Sequence, residues 1–227
     1  MSAQLTGIRA CVFDAYGTLF DYASAPARCR DVLGDRVTSV TTLWREKQLQ
    51  YTWLRSLQGR YVSFRRITED ALEFTLEALD LDDAALRSRL MDLYDSLECF
   101  PEVPAMLARL RSAGLKTAIL SNGSPEMLAS TLAHTRLAQF FDAVLSVEEV
   151  GVYKPHPKVY QLAVDRLAAP LQAISFQSSN GWDVYAASAF GLRSVWCNRY
   201  GQHAERLPGK PDFEVRSLAE LPSLLGL

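Results

Sequence analysis

The chain has 227 residues, 48% of them hydrophobic, with 24 Lys plus Arg against 26 Asp plus Glu and a net charge of -2. That length holds one sizeable domain or a domain with a smaller one inserted, and the charge leaves no basic footprint for nucleic acid or an anionic membrane. No window reaches the unbroken apolar length of a membrane span, and the N-terminus carries Arg9 rather than a signal-type apolar region.

Residues 8–13 are apolar except for Arg9 and read as a buried strand that stops at Asp14, before the turn at Gly17. In an open parallel sheet the carboxyl end of such a strand faces the ligand crevice. Asp14 is therefore either a nucleophile on a rigid element or a carboxylate satisfying turn backbone. Residues 21–98 then lose strand character. Helical spacing runs through 41–57, 68–79 and 83–97, with Thr68-Glu69-Asp70 read as one helix start.

From Pro101 the rhythm changes to alternating helix and strand. Helices are expected at 104–112 (closed by Gly114), 125–134, 157–167 and 182–190, and strands at 116–120, 143–146, 173–177 and 193–197. Such alternation implies right-handed crossovers and a parallel sheet. The expected fold is α/β, a Rossmann-like parallel-sheet core interrupted after its first strand by a helical cap. The core takes residues 1–20 and 99–227 and the cap domain 21–98, over the carboxyl ends of the strands. Cys11, Cys29, Cys99 and Cys197 are scattered, with no Cys-x-x-Cys and no His at metal spacing. Reduced thiols, buried at Cys11 and Cys197, and a cytoplasmic location are expected.

Four strand ends carry polar residues that one sheet edge would gather. They are Asp14, Ser121-Asn122-Gly123, Lys154 before Pro155, and Ser178-Ser179-Asn180-Gly181-Trp182-Asp183. Any one of these serves equally as a turn-former or helix cap. Together they supply a carboxylate nucleophile, an ammonium and a second carboxylate able to act on water, the parts of covalent hydrolysis.

These residues resemble the haloacid dehalogenase superfamily, and within it the L-2-haloacid dehalogenases. Asp14-x-x-Gly17-Thr18 is similar to its first motif, Ser121-Asn122-Gly123 to its second, Lys154-Pro155 to its third and Ser178 to Asp183 to its fourth. The stretch from Leu43 to Arg55 (LWREKQLQYTWLR) is similar to the dehalogenase branch, and the resemblance covers nearly the whole chain. It implies that Asp14 attacks C2 of a short 2-haloacid, forming an ester that water cleaves with Asp183 as base. Lys154 is expected between the two carboxylates, favouring their ionised forms. Thr18 and Ser178 orient Asp14 and water, while Asn180 and Tyr160 complete the catalytic set. Ser121 with nearby backbone N–H groups holds the substrate carboxylate. Arg45, Asn122 and Trp182 cradle the departing halide, and Tyr16, Leu49, Phe64 and Trp182 form an apolar wall. Glu46 departs from the branch, which has Gln there. Facing the cleft, it would repel an anionic substrate.

Phosphoryl-transfer members of the superfamily carry a second Asp where this chain has Tyr16, and a metal-binding Asp where it has Ser178-Ser179-Asn180. A phenol is a poor general acid, and neutral groups are poor ligands for Mg²⁺. A leaving halide needs neither protonation nor Mg²⁺. No cofactor and no metal are therefore expected, with a small 2-haloacid as substrate, no nucleic acid or membrane partner, and a homodimer through surfaces such as residues 51–64. The alternatives are a Mg²⁺-dependent phosphatase and a non-catalytic binding module that keeps the fold.

Overall fold

Ala10, Cys11, Val12 and Phe13 have no exposed surface at all. A strand so apolar on both faces must lie inside a sheet covered on both sides, as in parallel α/β folds. In the computed structural model, which describes residues 4–227, β1 (Ala10–Phe13) is that strand. It pairs in parallel with β2 (Lys116–Ser121), Val12 opposite Ala118, and on its other side with β4 (Ile174–Ser178), Val12 opposite Phe176. With β3 (Ala143–Ser146), β5 (Arg193–Cys197) and β6 (Phe213–Val215) the six-stranded sheet runs β3-β2-β1-β4-β5-β6. This is the doubly wound order, whose ligand crevice lies at the carboxyl ends of the strands where the order reverses, here beside β1 and β4.

Between β1 and β2 lie α1 (Ser24–Ala27), α2 (Arg30–Leu33), α3 (Val37–Leu57), α4 (Phe64–Ala78), α5 (Ala84–Tyr94) and α6 (Val103–Ser112). The remaining helices are α7 (Pro125–Thr135), α8 (Pro157–Leu167), α9 (Gly181–Phe190) and α10 (Leu221–Leu224). α3 packs along α4 and against α1, and α5 packs on α4 and α1. The chain leaves and re-enters the sheet side by side: Asp21 N donates to Glu98 O at 2.9 Å and Phe100 N to Leu19 O at 3.0 Å, flanking an antiparallel bridge between Phe20 and Cys99.

The expected elements from 104 to 197 all form within one or two residues of their predicted bounds, and Gly114 follows α6 with φ +76°. Of the helices before them, α3 and α4 start four residues earlier than expected. Ser63, not Thr68, caps α4, accepting from Arg66 N at 3.3 Å. Thr68 is buried within α4, where its hydroxyl donates back to Phe64 O at 2.8 Å. Asp83 caps α5 as its position suggested, accepting from Leu86 N at 2.7 Å, but the helix ends at Tyr94. The short turns α1 and α2, strand β6 and helix α10 were not expected. The four cysteines are free, with Cys11, Cys29 and Cys197 buried. Among the described residues no helix is long and apolar enough to cross a membrane.

Candidate active site

Asp14 immediately follows β1, and its backbone N donates to Gln177 O of β4 at 2.9 Å, so the sheet continues up to the carboxylate. The residue is 6% exposed, and four donors reach its carboxylate. Oδ1 accepts from Lys154 Nζ at 3.1 Å. Oδ2 accepts from Asn180 Nδ2 at 2.8 Å, Thr18 Oγ1 at 3.0 Å and Ser178 Oγ at 3.4 Å. Each donor is itself held. Thr18 Oγ1 accepts from Ser179 N at 2.8 Å and Ser178 Oγ from Asn180 N at 3.1 Å, ordering the β4–α9 turn around the carboxylate.

Lys154 sits in the loop after β3 and is 1% exposed. Its backbone N donates to Asn122 Oδ1 at 3.1 Å, and its ammonium lies between Asp14 and Asp183, 2.9 Å from Asp183 Oδ2. Burial alone would lower the Lys154 pKa, but the two carboxylates outweigh it and hold the ammonium above its usual value. Asp183, in the first turn of α9, has no exposed surface and accepts from Tyr160 Oη at 2.7 Å. Lys154 lowers the Asp183 pKa, as expected, but does not draw it below the ordinary carboxylate range. Burial, with the charge of Asp14 added, overcomes the ammonium and the tyrosine donor, and the Asp183 pKa is raised.

On the helical side, Arg45 of α3 reaches across to Asn180 Oδ1 at 3.3 Å, with its guanidinium 5.0 Å from the Tyr22 ring centre. Leu49 is half-buried, and Glu46 is exposed, so it is a solvent-facing residue. Tyr16 is 3% exposed, its ring 5.5 Å from both Phe64 and Tyr94. Its hydroxyl is buried without a partner, and burial holds its pKa well above 10, an even weaker acid than a free phenol. Ser121 is fully buried at the end of β2 and accepts from Gly123 N at 3.0 Å.

The structure thus brings Asp14, Thr18, Lys154, Ser178, Asn180, Asp183, Tyr160 and Arg45 into one hydrogen-bonded set. Ser121, Leu49 and Trp182 have no hydrogen bond to it. Trp182 stacks edge-on with Trp53 at 5.4 Å and lines a lateral cavity of about 850 Å³, whose walls include Lys154 and Tyr160 but not Asp14. Four residues without an assigned role also buttress the site. Gln48 is 1% exposed and bonded to Arg45; Tyr94 meets Gln48; Ser179 fixes Thr18; and Arg199 donates to Thr18 O at 3.0 Å while pairing with Glu102 at 2.9 Å. Gln48 had a legible signal, since it falls on the buried face marked by Trp44 and Thr52 four residues either side.

These donors do not suit a divalent cation. Both oxygens of Asp14 face ammonium, amide and hydroxyl groups where a hard metal would need further oxygens with available lone pairs. Among the described residues no group of three or more His, Cys, Asp or Glu is arranged to hold one.

Fold and site together define a hydrolase built on a doubly wound sheet around a buried aspartate. The chain belongs to the haloacid dehalogenase-like hydrolase family, which it matches over residues 8–191. It is 48% identical to an (S)-2-haloacid dehalogenase of Pseudomonas sp. (strain YL), over 96% of this chain and 94% of the relative. The L-2-haloacid dehalogenase of Xanthobacter autotrophicus, solved with chloropropionic acid covalently bound, superposes with a TM-score of 0.88 at 37% identity, covering 96% of this chain and 98% of the other. A dehalogenase solved with an intermediate complex superposes at 0.95 with 41% identity, over 98% and 99% of the two chains.

Proposed function

We propose that this chain is an (S)-2-haloacid dehalogenase that converts short L-2-haloacids, such as 2-chloropropionate or haloacetates, to the corresponding hydroxyacids, the chiral ones inverted to the D form. The observation that carries it is the Asp14–Lys154–Asp183 arrangement, a nucleophile and a second carboxylate sharing one ammonium. Asp14 attacks C2 from the side opposite the halogen, the carbon–halogen bond breaks with its electron pair on the halide, and an ester forms with inversion. Water then adds to the Asp14 carbonyl carbon, giving its proton to Asp183. The bond between that carbon and the alkyl oxygen breaks as Asp183 returns the proton to that oxygen, so the hydroxyacid carries away an Asp14 oxygen and the water oxygen stays on Asp14.

Arg45, Asn122 and Trp182 receive the halide, and Ser121 with neighbouring backbone N–H groups holds the substrate carboxylate. Tyr16, Leu49, Phe64 and Trp182 line the apolar side and keep competing water out. Residues 21–98 act as a cap domain over a core of 1–20 and 99–227. A cytoplasmic location and a homodimer through the surface around residues 51–64 belong to the same proposal, and sedimentation tests the dimer. A Mg²⁺-dependent phosphatase is not favoured, since Tyr16 is too weak an acid and the Asp14 oxygens are already taken up by an ammonium, an amide and two hydroxyl donors.

Single turnover in ¹⁸O-labelled water with EDTA tests the reaction. Label is expected in Asp14, read by peptide mass. Label in the product alone would mean direct attack by water, and no halide from any 2-haloacid would end the proposal.

Because the Asp183 carboxyl is raised by burial, it takes up a proton at a pH where ordinary carboxylates remain ionised, and then cannot accept one from water. The acid limb of kcat is therefore expected above the ordinary aspartate value of about 4. A limb at or below that value in a pH–rate profile contradicts Asp183 as the base.

A further inference from the structure

A directed chain of hydrogen bonds links α4 to the nucleophile. Thr68 donates its hydroxyl hydrogen to Phe64 O at 2.8 Å, so it can only accept from Gln48, whose Nε2 lies at 2.8 Å. That fixes the amide: Oε1 of Gln48 faces Arg45 and accepts from its Nη1 at 2.8 Å. Arg45 Nη2 donates to Asn180 Oδ1 at 3.3 Å, which turns Asn180 Nδ2 onto Asp14 Oδ2 at 2.8 Å. Tyr94 Oη lies 3.1 Å from Nε2 and 3.3 Å from Oε1 of Gln48 and closes off the remaining capacity of the amide. Gln48 is 1% exposed, and no bond in this chain can be reversed without leaving a buried donor facing a donor.

We infer that Gln48 is a positioning residue for the displacement step: it sets the Arg45 guanidinium where it meets the departing halide and orients the Asn180 amide toward Asp14. This deepens the dehalogenase proposal and rests on it. An arginine with a free fork and a carboxylate nearby would otherwise turn to pair with Asp14 itself, masking the nucleophile and vacating the halide position. Gln48 touches no reacting atom, so its effect passes through Arg45.

The test is halide release by the full-length protein from 2-chloropropionate and 2-bromopropionate. Gln48→Leu is expected to lower kcat on the order of 10- to 100-fold, as misplacement of a catalytic group does. The loss is expected to be larger for chloride, the poorer leaving group, with KM changing much less. Gln48→Glu keeps an oxygen toward Arg45 and is expected to hold the chloride-to-bromide ratio near that of the wild type. In an Arg45→Lys background, Gln48→Leu is expected to cost little more, because the fork it positions is gone.

A folded Gln48→Leu within twofold of the wild type on both substrates overturns the inference, as does a loss that is fully additive with Arg45→Lys. Should the leucine variant not fold, Gln48→Glu decides instead: a ratio shifted as far as in Arg45→Lys overturns it. Wild-type protein releasing no halide defeats the dehalogenase proposal itself, a result distinct from any of these.

Discussion

Asp14→Asn is expected to abolish halide release, with a loss on the order of 10⁴-fold or more, comparable to removing the nucleophile of other covalent hydrolases. The amide has no charge to displace a halide, and its geometry is also wrong for the site. One end of residue 14 must accept from Lys154 and the other from Asn180, Thr18 and Ser178. An amide has only one accepting end, so a donor meets a donor at one side or the other, and about 1–3 kcal/mol of stability should be lost as well. Activity should fall far beyond what that loss of stability explains. Initial rates, with mass spectrometry confirming that residue 14 is still asparagine, make the measurement. Undiminished dechlorination by the variant would remove the covalent mechanism.

Lys154→Met has the next largest expected effect and separates folding from chemistry. The ammonium is 1% exposed and lies 3.1 Å and 2.9 Å from the two carboxylates. Methionine fills the space but leaves Asp14 and Asp183 facing one another without a counter-charge. Breaking a buried pair in this way costs about 3–5 kcal/mol. Denaturant midpoints should show the drop, and kcat should fall on the order of 10³-fold. Adding Asp183→Asn removes one of the stranded charges. The double variant should regain much of the stability and none of the activity. Recovery of both would mean that Lys154 serves only the fold.

Much of this site was legible because its parts stand at the ends of fully buried strands. In β1 and β2 an apolar run stops abruptly at Asp14 and Ser121, in β4 a buried strand that carries Ser175 and Gln177 ends at Ser178, and the alternation of elements puts those ends on one edge. The helical insertion was less legible at its boundaries. A threonine before two acids resembles a helix cap, yet Thr68 turns inward and bonds to its own helix and to Gln48, and the cap lies five residues earlier at Ser63. Strand β6 has only three residues, positioned by Asp212, whose carboxylate accepts from Ser194 N at 2.8 Å. Arg199 escaped because its partner Thr18 is remote in sequence, and for Gln48 the helical spacing marks burial but not the remote partners Thr68 and Tyr94. No local pattern encodes such a pairing, and the sign of the Asp183 shift likewise depends on how much burial the assembled fold imposes.

The paired crossings at Leu19–Asp21 and Glu98–Phe100 have a consequence for how such a molecule diversifies. Entry and exit lie against each other, joined by two backbone hydrogen bonds and steadied by Arg199, which donates to Thr18 O and pairs with Glu102. Everything between them is grafted onto the sheet at a single stem. Exchanging that branch for another of different length or lining leaves every strand pairing and the Asp14–Lys154–Asp183 set in place but carries Arg45 and Gln48 away, so selectivity and halide departure are rewritten together.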